Sequence, residues 1–244
     1  MKKQNPIQIL TLGEKLLWLI SIAVVAGSFL IFQSDDILTL IASLIGVSAL
    51  IYVAKGHVLG QVLIILFAVF YGMISFYFQY YGEMITYLGM SAPIAVFSLI
   101  SWIRHPFKDS QEVTVSKLSR GQKLFAVIAT AFVTVLFYFI LGALGNARLL
   151  VSTFSVTTSF FASYLTFCRS PYYALAYAAN DVVLIILWVL AAMTDPGSIP
   201  MVACFVMFLV NDIHGFICWK KRYIRQKTQK STALRVSAIE QILK

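Results

Sequence analysis

Two dipeptides of the same chemistry, Asn180-Asp181 and Asn211-Asp212, interrupt otherwise apolar sequence between Pro171 and Trp219. An Asn side chain offers both donor and acceptor, and a carboxylate pairs with hydroxyls or attracts a cation. Inside a bilayer such groups are costly and mark solute or ion sites. The short turn at Asp195-Pro196-Gly197 makes the two flanking segments antiparallel neighbours. At about 1.5 Å per helical residue, Asn180 and Asp181 lie about 14–15 Å from Pro171, and Asn211 and Asp212 about 11–12 Å from Trp219. Both pairs thus reach nearly one level, and we expect all four side chains to share one polar binding site near the bilayer midplane.

The neighbours of these residues suit a flat solute. On a helical wheel of about 100° per residue, Tyr173, Tyr177, Asn180, Leu184 and Trp188 share one face, with Asp181 at its edge. Cys204, Phe208, Asn211, Gly215 and Trp219 share another, with Asp212 beside it. Aromatic rings there supply stacking area. A competing reading has Asp181 and Asp212 locking helices together through Tyr or Ser hydroxyls. Trp219, at the end of its segment, reads as an interfacial belt residue, whereas Trp188 lies deeper. In 58–80, Gln61, Ala68, Tyr71, Gly72, Ser75 and Gln79 form a small, polar face that points to a bundle interior or a solute path. The stretch 149–167 is rich in hydroxyls, which can bond back to their own helix; Thr157 and Thr158, nearest mid-depth, are its candidates for lining a cavity. The expected substrate contacts are therefore Asn180, Asn211, Trp188, Tyr177, Asp181, Asp212, Gln61, Tyr71 and Thr157.

These residues need a membrane domain to hold them. The chain is 60% apolar and 12% charged, with a mean hydropathy of +0.85, and a soluble fold of this length has too little interior to hide that surface. Eight stretches nearly free of charge, 15–33, 37–54, 58–80, 84–104, 123–144, 149–167, 171–193 and 198–219, are long enough to cross a hydrocarbon core of about 30 Å as helices. With the N-terminus inside, the inner loops and ends hold every Lys and Arg except Arg148, while Asp35, Asp36, Glu83 and Asp195 lie outside. This asymmetry fits eight spans with both termini cytoplasmic, and it assigns the net charge of +9 to membrane orientation and not to nucleic acid. The first span is too long for an ordinary removable signal peptide; with Trp18 near its inner end, it reads as a lipid-facing accessory helix.

Several chemistries are set aside. No GxxxxGK[ST] occurs, which disfavours an ATP-driven pump. Cys168, Cys204 and Cys218 are too sparse for a zinc ribbon or a redox CxxC, and His214 with Cys218 supplies too few ligands for a metal. Asp212 beside His214 on one helix is poor geometry for an enzyme. No cofactor is implied.

The chain divides at 105–122, the one long polar interior segment. Landmarks recur on either side of it: Lys55 and Arg169, Glu83 and Asp195, Trp102 and Trp219. Four spans, an even number, separate them, so the halves are parallel repeats about an axis along the membrane normal. The resulting organisation is an N-terminal lead and accessory helix (1–35), a three-helix bundle (36–104), a loop and linker helix (105–145), a second three-helix bundle (146–222) and a basic cytoplasmic tail (223–244). Pro93, in the fourth span, frees a backbone carbonyl and permits a kink.

Eight spans in a one-three-one-three order, Asn180 followed by Trp188, and Asn211-Asp212 with Gly215 and Trp219 ahead of a basic tail resemble the PnuC family of bacterial vitamin-precursor transporters, over roughly 36–222. The resemblance implies a fold related to the sugar-carrying SWEET proteins, two bundles joined by a linker helix. It also implies facilitated diffusion of nicotinamide riboside across the bacterial inner membrane, with a cytoplasmic kinase trapping the solute. The carboxamide would then meet Asn180 or Asn211, the cationic ring Tyr177 or Trp188, and the ribose Gln61 or Asp181. A SWEET protein hinges the first helix of each bundle at Pro, and spans two and six here have none. Transport of thiamine, riboflavin or a sugar, and proton coupling through Asp181 or Asp212, stay open, as does a homo-oligomer.

Overall fold

The computed structural model describes residues 5–32, 36–77, 81–108, 110–146 and 148–242. Asp35 and Gln79, named above, lie outside them. Eight helices are long and apolar enough to cross a membrane: α1 (Leu12–Ile31), α2 (Ile37–Ala54), α3 (Val58–Tyr77), α4 (Tyr81–Arg104), α5 (Arg120–Ala143), α6 (Leu149–Phe167), α7 (Tyr173–Ala192) and α8 (Ile199–Ile242). Among the described residues no strand forms; two isolated bridges join His57 to Glu112 and Pro106 to Val113.

The helix ends differ from the apolar count where local chemistry intervenes. Helix α1 begins three residues before Lys15, because Thr11 and Glu14 form a capping box. Ser119 and Gln122 do the same for α5. Such boxes satisfy the orphan amides of a first turn with polar residues that a hydropathy window reads as loop. Helix α8 runs on to Ile242, through the segment expected as a separate tail, because no Gly or Pro interrupts the sequence after Trp219. Its 44 residues are about 66 Å long, twice the hydrocarbon thickness. In α4, Ile85–Ser91 is π-helical and the amide of Ala92 donates to the carbonyl of Tyr87. Pro93 has no amide to give and its ring crowds the preceding turn, so the chain accommodates one extra residue there.

Packing pairs α2 with α3, α3 with α4, α6 with α7 and α7 with α8. Helix α2 also touches α8, and α4 touches α6. Helix α1 fills the groove between α2 and α8, and α5 rests on α6. Close approach of α2 and α3 depends on Gly60: a Cβ there would sit 2.5 Å from the main-chain nitrogen of Val53. Large apolar side chains such as Leu124, Phe125, Ile128 and Phe132 on α5 are left exposed, as lipid contact requires.

The loop between α4 and α5 straps the bundle together at the end where α8 protrudes. Val113 donates its amide to Gly56 and Ser116 donates its own to Arg169, the turns after α2 and α6. The amide side chain of Gln226 pairs twice with this strap, donating to the Val113 carbonyl at 3.0 Å and accepting from the Val115 amide at 2.8 Å. Glu112 pairs with Arg222 and Arg225.

Candidate functional site

Asn180 of α7 is buried, and its carbonyl accepts the hydroxyl of Thr158 at 2.7 Å and that of Ser155 at 3.4 Å, both from α6. It lines a small hollow of about 40 Å³ with Tyr71, Glu83, Tyr87, Ser159 and Trp188. This hollow is one link in a series. Toward the Asp195 end it shares Glu83 and Trp188 with two openings of about 500 and 300 Å³. Toward the α8 extension it shares Tyr87 and Ser159 with a hollow of about 80 Å³ that is lined by Gln61, Tyr173 and Tyr177. The Tyr71 and Tyr87 rings lie 4.5 Å apart, and Phe67 packs on both. An aromatic wall with amide, hydroxyl and carboxyl groups set into it can hold a flat, hydrogen-bonding molecule.

The series ends at two indoles. Trp102 of α4 and Trp219 of α8 are 1% and 0% exposed, with ring centroids 5.3 Å apart. Trp102 donates its Nε1–H to the carbonyl of Thr166 at the end of α6, and Trp219 donates to Val53 at the end of α2. Helix α4 is thus tied to α6, and α8 to α2. Tyr173, a lining residue of the last hollow, packs edge-on against Trp219 at 4.6 Å. Trp219 is not an interfacial belt residue, because α8 continues past it and the strap covers it.

The two Asn-Asp pairs do not gather in one hollow. Asn211 turns to α1, donating to Ser21 Oγ at 2.9 Å and to the Met207 carbonyl at 2.7 Å. Asp181 and Asp212 lie side by side across the contact of α7 with α8. Neighbours in sequence point about 100° apart on a helix, so Asn180 can face the hollow only if Asp181 faces α8. Equal depth placed the pairs at one level without placing them on one side. Thr157 likewise faces α5, where its hydroxyl meets Thr134 at 2.8 Å, and it is Thr158 that reaches Asn180. Tyr177 lines the lower hollow and bonds Ser163 at 2.8 Å. Gln61 is buried there too, and Tyr71 and Trp188 line the upper one.

Two lining residues escaped sequence reasoning. Glu83 looked like an outer-turn acid, and Tyr87 carried no signal beyond lying just ahead of Pro93. Helix α4 begins at Tyr81, which brings Glu83 inside the bundle, with the Tyr71 hydroxyl directed at its carboxyl group. The π-helical stretch then carries Tyr87 to the same cavity. Pro93 six residues on was the available clue, since such insertions cluster at functional sites.

His214 and Cys218, 3.3 Å apart, are joined by Glu14 of α1 in a cluster whose ligand atoms lie within 4.8 Å of one another. The carboxylate is already ion-paired with Lys55 at 2.9 Å and accepts from Thr11. This contact ties α1 to the turn after α2. Trp18 adds a second tie, donating to Ser48 of α2 at 3.0 Å.

Eight membrane-capable helices around a stepped, aromatic-walled cavity closed at one end define a polytopic carrier of small solutes. The family model described as "Nicotinamide mononucleotide transporter" matches residues 36–221, and the chain belongs to that family. The chain is similar to the nicotinamide riboside transporter PnuC of Neisseria mucosa, 25% identical over 217 residues that cover 87% of this chain and 82% of that protein. A solved structure described as the vitamin B3 transporter PnuC shares 26% identity, with a TM-score of 0.76 over 89% of this chain and 94% of the other. The resemblance drawn from Asn180, Trp188 and the Asn211-to-Trp219 pattern is borne out, over nearly the residues expected.

Proposed function

We propose that this chain carries nicotinamide riboside into a bacterial cell across the inner membrane by facilitated diffusion, and that a cytoplasmic kinase retains the product. The observation that carries this reading is the stepped cavity itself, in which Trp188 and Tyr71 supply stacking surface and Asn180 an amide to meet a carboxamide. The lower hollow, with Gln61 and Tyr177, receives the ribose. The riboside is what the Neisseria relative is named for, and its flat ring, carboxamide and hydroxyls match these groups one for one.

The two halves, 36–104 and 146–222, are read as parallel three-helix bundles joined by the loop and linker helix of 105–145, with 1–35 and 223–244 as additions. The end bearing the strap and the α8 extension faces the cytoplasm, where the Lys and Arg residues concentrate. Trp102 and Trp219 then form the inner gate, and the wide openings near Asp195 face outward. Opening the gate requires each third helix to leave the first helix of the other half.

Purified protein in liposomes should take up labelled nicotinamide riboside to equilibrium and no further, with competition by unlabelled riboside. Absence of uptake, or release of a chemically altered product, would overturn the reading. One observation favours a second mode, proton coupling: the neighbouring carboxyl groups of Asp181 and Asp212. Uptake that is unchanged by collapsing a proton gradient decides against it.

A further inference from the structure

We infer that Glu83 is the counter-ion by which this carrier selects a cationic ring, so that an N-ribosylpyridinium is preferred over an uncharged ring of the same shape. The inference rests on reading the Glu83 cavity as the substrate site.

The carboxyl group of Glu83 stands where three hollows meet, the two openings at the Asp195 end and the hollow of Asn180. Among the described residues no Lys, Arg or His pairs with it, whereas Glu14 and Glu112 each have a cationic partner. The Tyr71 hydroxyl lies beside it. A carboxylate withdrawn from water without a cation is costly, and a cationic ligand relieves that cost.

The surroundings suit such a ligand. The faces of Tyr71, Tyr87 and Trp188 attract a cation through their quadrupoles, and a pyridinium ring is both flat and positively charged. Asp36 and Asp195 add acidic groups to the openings, against the single guanidinium of Arg148. Arg148 is itself engaged, donating to the Leu190 carbonyl at 2.8 Å. Acidic groups concentrated in a low-dielectric mouth raise the local concentration of cations and oppose anions.

The test uses the full chain in detergent and two ligands, nicotinamide riboside and its uncharged 1,4-dihydro form. Titration calorimetry should give an affinity for the pyridinium riboside about tenfold or more above that for the dihydro form. Glu83→Gln should bring the two ribosides to within about twofold of one another, chiefly by weakening the charged one. Equal affinity of wild-type protein for the two ribosides overturns the inference without any variant, so a poorly folded Glu83→Gln does not shield it. A preference that survives in Glu83→Gln overturns it as well, while leaving the substrate site in place. Failure of wild-type protein to bind either riboside instead removes the substrate site, and this inference with it.

Discussion

Replacing Trp102 and Trp219 by Phe keeps an aromatic ring at each position of the plug but removes both indole donors. Each donor now meets a main-chain carbonyl of a neighbouring helix, at 3.1 Å for Trp102 and 2.8 Å for Trp219. Neither carbonyl is orphaned by the change, since Val53 also accepts from Gly56 and Thr166 from Arg169, both at 2.9 Å. The loss per site therefore stays near the net value of one hydrogen bond, about 1 kcal/mol, or about fivefold in the ratio of closed to open gate. The rings touch, so the two losses are coupled, and the double variant is expected to fall between about fivefold and 30-fold. Hydrogen exchange on protein in lipid nanodiscs reads this directly, because protection measures the free energy of local opening. The amides of Gly56 and Arg169, which close the turns beside the plug, should lose that factor in protection, while amides in the middle of α5 do not change. Riboside exchange across the membrane should quicken in parallel where inner opening limits the rate. Protection within twofold of wild type at both turns in the double variant would show that the indole bonds do not hold the gate shut.

Other substitutions separate site from scaffold. Asn180→Ala should weaken riboside binding by about 1–3 kcal/mol, whereas Asn211→Ala, which cuts the tie to Ser21, should lower thermal stability and leave affinity within twofold; calorimetry and thermal unfolding distinguish the two. Gly60→Ala places a methyl 2.5 Å from the Val53 nitrogen and 2.6 Å from its Cγ2, and overpacking of this kind costs about 1–3 kcal/mol, to be read as a lowered unfolding midpoint. Gln226→Leu removes both hydrogen bonds to the strap, and limited proteolysis should then cut 105–119 faster with the membrane helices still folded.

Sequence carried the fold well because the bilayer imposes a strong constraint: length and charge-free composition located all eight helices, and the Lys and Arg distribution suggested their orientation. Capping boxes at Thr11 and Ser119 shifted two starts, since their residues are polar and invisible to hydropathy. Side-chain direction was far less legible. The depth of Asn180 and Asn211 follows from counting along a helix, but whether each faces the cavity or α1 depends on how the helices rotate against one another, which is set by contacts such as Ser21 with Asn211. The same indeterminacy exchanged Thr157 for Thr158. Glu83 was hidden for another reason: a carboxylate near a turn reads as solvated unless the helix is known to begin at Tyr81. Trp219 was misplaced because its burial comes from the strap and from Trp102, both distant in sequence.

The most direct test is a structure of the protein with nicotinamide riboside bound. Density for the ring between Trp188 and Tyr71, with the carboxamide at Asn180 and the ribose reaching toward Gln61, is the expected result. Density confined to the α1–α8 contact around Asn211, or to the lipid-facing surface, would contradict the account.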